Sequence, residues 1–300
     1  QTRLARMATD RINSDFGTDM NIQRLRISLI SWDTALEEIY IEDYRGDTLA
    51  YIDRLNTSIL SLRDLAGGKL EFGDIEVEGL YLNMKTYQDA PDTNLGIFIS
   101  RLDDGKPRPE GTPPFYFHAS GVSIENSRFT LTDDNLETPG ILGFSNLNID
   151  AGAFTILGPE VRVAVQSLNF TSPRGLDLED LSTDFTYTRE KMQFDSLRIA
   201  TTGSELRGAL RFDYQREDLA EFTDKVRLQA QFENSKVDLE EINAFSPIFG
   251  SGKTAEFRAG FSGTLNDLEV SDLLLVSDQT GIRGTYAFKN LFDREAPFSM

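Results

Sequence analysis

The 300-residue sequence contains no cysteine, which removes disulfide staples, thiolate metal sites and cysteine nucleophiles together. Histidine is nearly as scarce. His118 is the single one, so a hydrolytic triad would have to use it, and no serine sits in a Gly-x-Ser-x-Gly elbow. No apolar run approaches the roughly 20 residues of a membrane-spanning helix. The clearest run, Leu273 to Val276, is strand-sized. Basic charge is also in deficit: 30 Lys and Arg stand against 49 Asp and Glu, a net charge of -19 that repels phosphate backbones and argues against nucleic acid as a partner.

The apolar content, 39%, is enough to bury a core and excludes wholesale disorder. Gln1 is not an initiator residue and Met300 follows an open-ended polar stretch, so the chain reads as a piece of something longer. One amphipathic helix is expected at residues 1–18, where Leu4, Met7, Ala8 and Ile12 recur at spacings of three and four and Gly17 can close the helix. Its surroundings are locally basic (Arg3, Arg6, Arg11, Arg24, Arg26), which suits either lipid headgroups or an ordinary cap over a sheet end.

From about residue 20 the period changes to two, as in Leu25-x-Ile27-x-Leu29 and Ile39-x-Ile41, the alternation of strands with one apolar face. A degenerate unit then recurs: an apolar-x-apolar triplet, a short polar or glycine-bearing break, and a second alternating run. It is seen at Ile75-x-Val77 before Leu80-x-Leu82, at Val122-x-Ile124 before Phe129-x-Leu131, and at Leu147-x-Ile149 before Phe154-x-Ile156. It returns at Leu197-x-Ile199 before Phe212 and at Leu268-x-Val270 before Leu273-x-Leu275. Uneven spacing speaks against a strict solenoid and for hairpins of varying length added along one axis. Residues in the breaks (Gly79, Asn126-Ser127, Gly152, Gly203-Ser204, Asn266-Asp267) supply turns or bulges that keep the apolar face on one side. Short helices are expected near Ile59 to Leu65, ending at Gly67-Gly68, and from Leu239 to Phe245 behind an Asp238 cap. Residues 101–114, with four prolines, read as an exposed loop.

Chemistry-bearing motifs dissolve on inspection. Gly250-Ser251-Gly252-Lys253-Thr254 matches the tail of a phosphate-binding loop, but Pro247 stands where the leading glycine belongs and the following residues alternate like a strand. Acidic pairs such as Asp133-Asp134 and Glu179-Asp180 sit at turns without the spaced ligands of a calcium loop. No catalytic, cofactor-binding or metal-binding residues are expected, and the chain reads as a non-enzyme.

A single sheet with one apolar face must cover it with a second sheet, helices, a partner or lipid. The helices are too few. A closed sandwich or barrel and an open trough both satisfy the alternation, and periodicity alone does not separate them. A trough has a physical use, because carrying a lipid tail through water costs about 0.8 kcal/mol per exposed methylene, roughly 12 kcal/mol for a sixteen-carbon chain.

The segments "TRLARMATDRIN", "NIQRLRISLISWDTALEEIYIED" and "GDTLAYIDRLNTSILSLRDLAGGKLEFGDIEVEGL" together resemble the membrane-proximal start of TamB/AsmA-like proteins, and "FSGTLNDLEVSDLLLVS" is similar to the repeated strand units of that family. The order of elements carries the resemblance rather than any one residue. It implies a mainly β fold, an elongated antiparallel sheet bent into an open apolar groove over residues 19–300, following a membrane anchor and the helix at 1–18. It also implies a periplasmic protein tethered to the bacterial inner membrane, conducting phospholipid toward the outer membrane, in partnership with an outer-membrane barrel.

On this reading the inward residues are Ile75, Val77, Leu80, Leu82, Val122, Ile124, Phe129, Leu131, Leu147, Ile149, Phe154, Ile156, Val163, Val165, Leu197, Ile199, Phe212, Leu228, Phe232, Phe257, Phe261, Leu268 and Val270. Their role would be collective. Two alternatives use the same positions: an assembly scaffold that helps outer-membrane proteins fold by strand addition, and a closed β-sandwich in a structural or adhesive protein.

Overall fold

Alternating apolar residues rich in valine, isoleucine and phenylalanine favour strands, and strands account for most of the described chain. The computed structural model describes residues 6, 9–10, 13, 19–27, 33–60, 69–90, 92–102, 116–135, 140–173, 177–215, 218, 221–243, 253–277 and 280–291. Of the N-terminal segment, Arg6, Thr9, Asp10 and Asn13 are helical. Leu4, Met7, Ala8, Ile12 and Gly17 lie outside the described residues, as do 61–68 of the expected second helix and Gly250-Ser251-Gly252.

The chain divides into two compact units, residues 1–158 with 169–175, and residues 159–168 with 176–300. In the first, the strands are β1 (Asp19–Ile27), β2 (Asp33–Glu42), β3 (Thr48–Ile59), β4 (Lys69–Thr86), β5 (Tyr116–Asp133) and β6 (Gly140–Leu157), with helix α1 (Asn94–Leu102) between β4 and β5. β7 (Glu160–Thr171) gives residues to both units. The second holds β8 (Leu178–Tyr187), β9 (Lys191–Thr201), β10 (Glu205–Asp213), β11 (Arg227–Asp238), β12 (Thr254–Gly263), β13 (Leu268–Ser277) and β14 (Thr280–Phe288). Two short helices, α2 (Phe222–Lys225) and α3 (Leu239–Asn243), complete it.

Within each unit the strands lie in the sheet in chain order, and the sheet does not close into a barrel. The expected open, mainly β sheet is what forms. One departure is real: β4 and β5 pair in parallel, Ile75 beside Val122 and Leu82 beside Phe129, so the sheet is mixed rather than wholly antiparallel. A parallel pair cannot be joined by a tight turn, and residues 87–115 make the crossover. Arg101 and Leu102, expected in a loop, instead end α1. Thr93 caps that helix by accepting the Gly96 N–H at 3.0 Å.

The breaks seen in the sequence resolve into two kinds. Where consecutive inward residues are three apart, the break lies inside one strand at a residue of positive φ; the neighbours of β4 match it in register, and it forms a bulge in β5 against β6 and in β13 against β14. Val77 to Leu80 passes through Gly79 (φ 68°), Ile124 to Ser127 through Asn126 (φ 51°), and Val270 to Leu273 through Asp272 (φ 49°). One extra residue restores the facing of everything that follows, which a one-residue slip would otherwise turn over. Where they are farther apart, as from Ile199 to Leu206, the chain turns, and Thr201 N–H bonds the Ser204 carbonyl at 2.9 Å.

The bulges of β4 and β5 lie side by side, with Glu78 beside Glu125 before them and Tyr81 beside Arg128 after. Ser127, 2% exposed, ties them: its hydroxyl accepts the Leu80 N–H at 3.0 Å and donates to the Glu125 carbonyl at 2.9 Å. The second unit repeats the device in the same three residue types, Glu233-Asn234-Ser235. There Ser235 accepts the Arg207 N–H at 2.9 Å and donates to the Glu233 carbonyl at 3.0 Å, with Asn234 at φ 48°. Asn is among the few residues that hold a left-handed φ at low cost.

A polar knot ties loops at the strand ends of the first unit. Tyr87 donates to Asp43 at 2.6 Å and lies 2.7 Å from Asp47, while Asn94 donates to Asp43 at 3.1 Å and accepts the Lys85 N–H at 2.8 Å. Burial alone would raise the Asp43 carboxyl. Hydrogen bonds from Tyr87, Asn94 and the N–H groups of Arg45 and Asp47 outweigh it and hold the group below the usual carboxylate range. Burial and the same two carboxylates push the Tyr87 phenol above its ordinary range.

Two expectations follow from these contacts. Ser127→Ala leaves the Leu80 N–H without its partner and lowers unfolding free energy by about 1–3 kcal/mol, with Ser235→Ala acting alike through Arg207, both read from urea denaturation. For Asp43 the lowered value means its stabilisation is complete above the unfolded value near about 3.9 and is lost as pH falls below it. Asp43→Asn therefore lowers the denaturation midpoint at pH 7 and removes that part of the acid limb, which wild type retains.

Candidate functional site: a charge-free apolar sheet face

Cross-strand register decides which side chains share a face, because directly paired residues point the same way. In the first unit a row runs Ile22, Ile39, Ile52, Leu80, and another runs Leu36, Leu55, Val77, Ile124, Ile149. Thr57, Ile75, Val122 and Ala151 form a third row, and Ala50, Leu82, Phe129 and Phe144 a fourth. Leu131 pairs with Leu142, Ser127 with Leu147, Ala119 with Phe154 and Phe117 with Ile156. None of these residues is ionisable.

The second unit repeats the pattern. Ile199 pairs with Leu181 and Leu206, Leu197 with Gly208, and Gly208 with Phe232. Phe212 meets Leu228, Phe261 meets Ala230 and Val270, Phe257 meets Ser235 and Leu275, and Leu268 meets Gly263 and Phe288. The proposed positions in each unit thus fall together on one face. Val163 and Val165 lie in β7 and are half-buried, flanking Ala164 and next to exposed Arg162.

Gly208 shows how tightly this face is knit. A Cβ there would stand 1.9 Å from the Gln231 carbonyl oxygen, so only glycine lets β10 and β11 approach this closely.

The opposite face carries the charge. Arg24, Glu37, Arg54, Glu78 and Glu125 follow one another in register, with ion pairs Arg24–Glu37 and Arg54–Glu78, the latter at 2.7 Å. Tyr40, Tyr51, Tyr81 and Arg128 form the next such row, Arg128 lying 4.2 Å over the Tyr81 ring. In the second unit Arg198 bridges Asp180 and Glu205. Charged side chains on one side and none in these rows on the other is the segregation of a sheet that meets water on a single face.

Coverage of the apolar face is partial. Val77, Leu197, Leu228 and Val270 are buried, together with the small Ala119, Ala151, Ala255 and Ala259, while most of the large residues beside them stay half-buried. A second sheet packed at about 10 Å would bury them as a core. Their contacts instead run sideways: Phe72, Phe117 and Phe154 touch in series with ring centroids 5.4 and 5.7 Å apart, and Phe129, Phe144 and Phe170 at 5.9 and 4.0 Å. In the second unit Phe185, Phe194, Phe212 and Phe222 form a similar chain at 4.9, 6.5 and 5.5 Å.

Several of these phenylalanines were not among the positions singled out from sequence. Phe72 and Phe117 precede the triplets that drew attention, and Phe144 sits on the far side of the Asn146 bulge. The signal that finds them is a step of three between apolar residues across an Asn or Gly, followed by resumed alternation.

His118 lies in β5 with Nδ1 3.0 Å from the Thr155 hydroxyl. Thr254 opens strand β12, not a helix, directly after Lys253. Among the described residues no cluster of His, Asp or Glu is arranged to hold a metal ion, and no helix is long and apolar enough to cross a membrane. No protein-family model and no curated protein matches the sequence.

Half-burial gives this face a measurable signature. Ile149→Glu, on the open part, costs about 1–2 kcal/mol, whereas Ala119→Glu, at 0% exposure on the same face, costs more than about 4 kcal/mol by urea denaturation. Equal, large losses at both positions would mean that a second layer covers Ile149.

Proposed function

We propose that this chain is a non-enzymatic, lipid-conducting segment of a bacterial envelope protein, periplasmic and tethered to the inner membrane. It offers phospholipid tails an apolar surface on the way to the outer membrane. The observation that supports the reading most is the face itself: rows of large apolar residues without one ionisable group, half-buried, on a sheet whose other side is laced with ion pairs. Such a surface replaces the water around an acyl chain, and about 0.8 kcal/mol per methylene is the barrier it removes.

Phenylalanine rows and aliphatic rows give a ligand dispersion contacts without fixed polar anchors, so a tail can slide between nearly equivalent positions. Movement needs that equivalence, since a deep specific pocket would hold its cargo. The resemblance to TamB/AsmA-like proteins points the same way and adds the envelope setting and an outer-membrane barrel as partner.

The test is direct. A photoreactive residue at Leu82 or Ile149 crosslinks phospholipid, and organic extracts of the purified protein contain phospholipid by mass spectrometry. Ile149→Glu keeps the fold and lowers both signals. A stably folded protein with no lipid in the extract and no crosslinks overturns the reading.

A further inference from the structure

Two polar side chains stand inside the apolar face of the first unit. Thr34 of β2 and Thr57 of β3 are direct cross-strand partners, flanked in their row by Ile27 on one side and Ile75 on the other. The next row, Leu25, Leu36, Leu55 and Val77, is wholly aliphatic. Both threonines are half-buried, yet both hydroxyl oxygens are fully buried, and neither has a hydrogen-bond partner among the described residues.

Buried hydroxyls are normally satisfied, as those of Ser127 and Ser235 are. Those two serines repair bulges. Thr34 and Thr57 repair nothing, because the ladder around them runs in unbroken register from Asp33 beside Ser58 to Glu37 beside Arg54. Valine would fill the same shape and suit a strand equally well without an unpaired oxygen. Rotation by about 120° at χ1 moves a threonine between staggered wells and carries the hydroxyl to the place the methyl held, on the open side of the face.

We propose that Thr34 and Thr57 together donate to the two acyl ester carbonyls of a diacyl phospholipid whose tails lie over Leu36, Leu55 and Val77. The ester carbonyl is the neutral acceptor of a phospholipid that stands nearest its tails, and a row with hydroxyl donors and no ionisable group suits it better than it suits the phosphate. Directly paired residues hold their Cβ atoms about 4.5–5.5 Å apart, which sets two donors side by side for carbonyls carried on adjacent glycerol carbons. Two neutral hydrogen bonds are weak enough to be released, so the pair recognises cargo without trapping it. The inference rests on the lipid-conducting reading and adds the class of lipid that the face selects.

The test titrates the full chain into two fluorescent lipids: dioleoyl phosphatidylethanolamine labelled on its ethanolamine with nitrobenzoxadiazole, and the diether analogue with the same label and chains but no ester carbonyls. Wild type binds the diester more tightly than the diether by about fivefold or more. Thr34→Val combined with Thr57→Val brings the diester to the diether value and leaves the diether unchanged. Its urea midpoint stays at or above that of wild type, since two unpaired oxygens are removed and the shape is kept. Thr34→Ser combined with Thr57→Ser retains the preference. Equal binding of the two lipids by wild type overturns the inference alone, and so does a preference that survives both valines. A lowered urea midpoint of the valine variant with the preference intact likewise overturns it and assigns the hydroxyls to the fold. Binding of neither lipid overturns the lipid-conducting reading as well.

Discussion

Everything in this sheet depends on keeping one facing along strands as long as 18 residues. A strand that long accumulates twist, and the extra residue of a bulge releases it while returning the next apolar side chain to the same side. The extra residue leaves backbone groups without ladder partners, and the buried hydroxyls of Ser127 and Ser235 satisfy them. The Glu-Asn-Ser triplet is therefore a compact device: asparagine takes the left-handed φ, serine repairs the hydrogen bonding, and glutamate points into water. Without it the rows of the apolar face would break in the middle of the strands.

The two faces follow from that register. Because alternation survives each bulge, Arg54 stays beside Glu78 and Leu55 beside Val77. A face free of charge and only partly covered is a costly surface to leave in water, at about 25 cal/mol for each Å² exposed. Sequences that keep such a surface keep it for something that touches it.

Much of this was legible beforehand because alternation is a direct readout of a pleated strand. Ile75, Val77, Val122, Ile124 and Ile149 could be placed on one face from spacing alone, and Gly79 and Asn126 could be recognised as residues that reset it. Whether a break was a bulge or a turn was less legible, since Val77 to Leu80 and Ile199 to Leu206 differ only in length. The parallel pairing of β4 with β5 left no local mark, because strand direction is set by what lies between. α1 was hidden by Gly96 and by β-branched Ile97 and Ile99, which lower helix propensity; its start is fixed by the Thr93 hydroxyl and by Asn94 bonding the end of β4. Open versus closed could not be read from periodicity, because both bury the same alternating positions.

The parallel seam also shapes how the sheet comes into being. Nearly every strand meets its partner across a short connection, a low-contact-order arrangement that lets each arriving strand dock on the one made just before it. Such a sheet grows in step with delivery of the chain, from its first strand onward. At β4 the growth pauses, because β5 can be added only after residues 87–115 have been laid out and the chain has returned to the start of β4. Closing that long loop costs entropy before any new pairing repays it. The seam divides assembly into an early meander and a later one, and during the wait the long edge of β4 is the stretch most open to wrong partners.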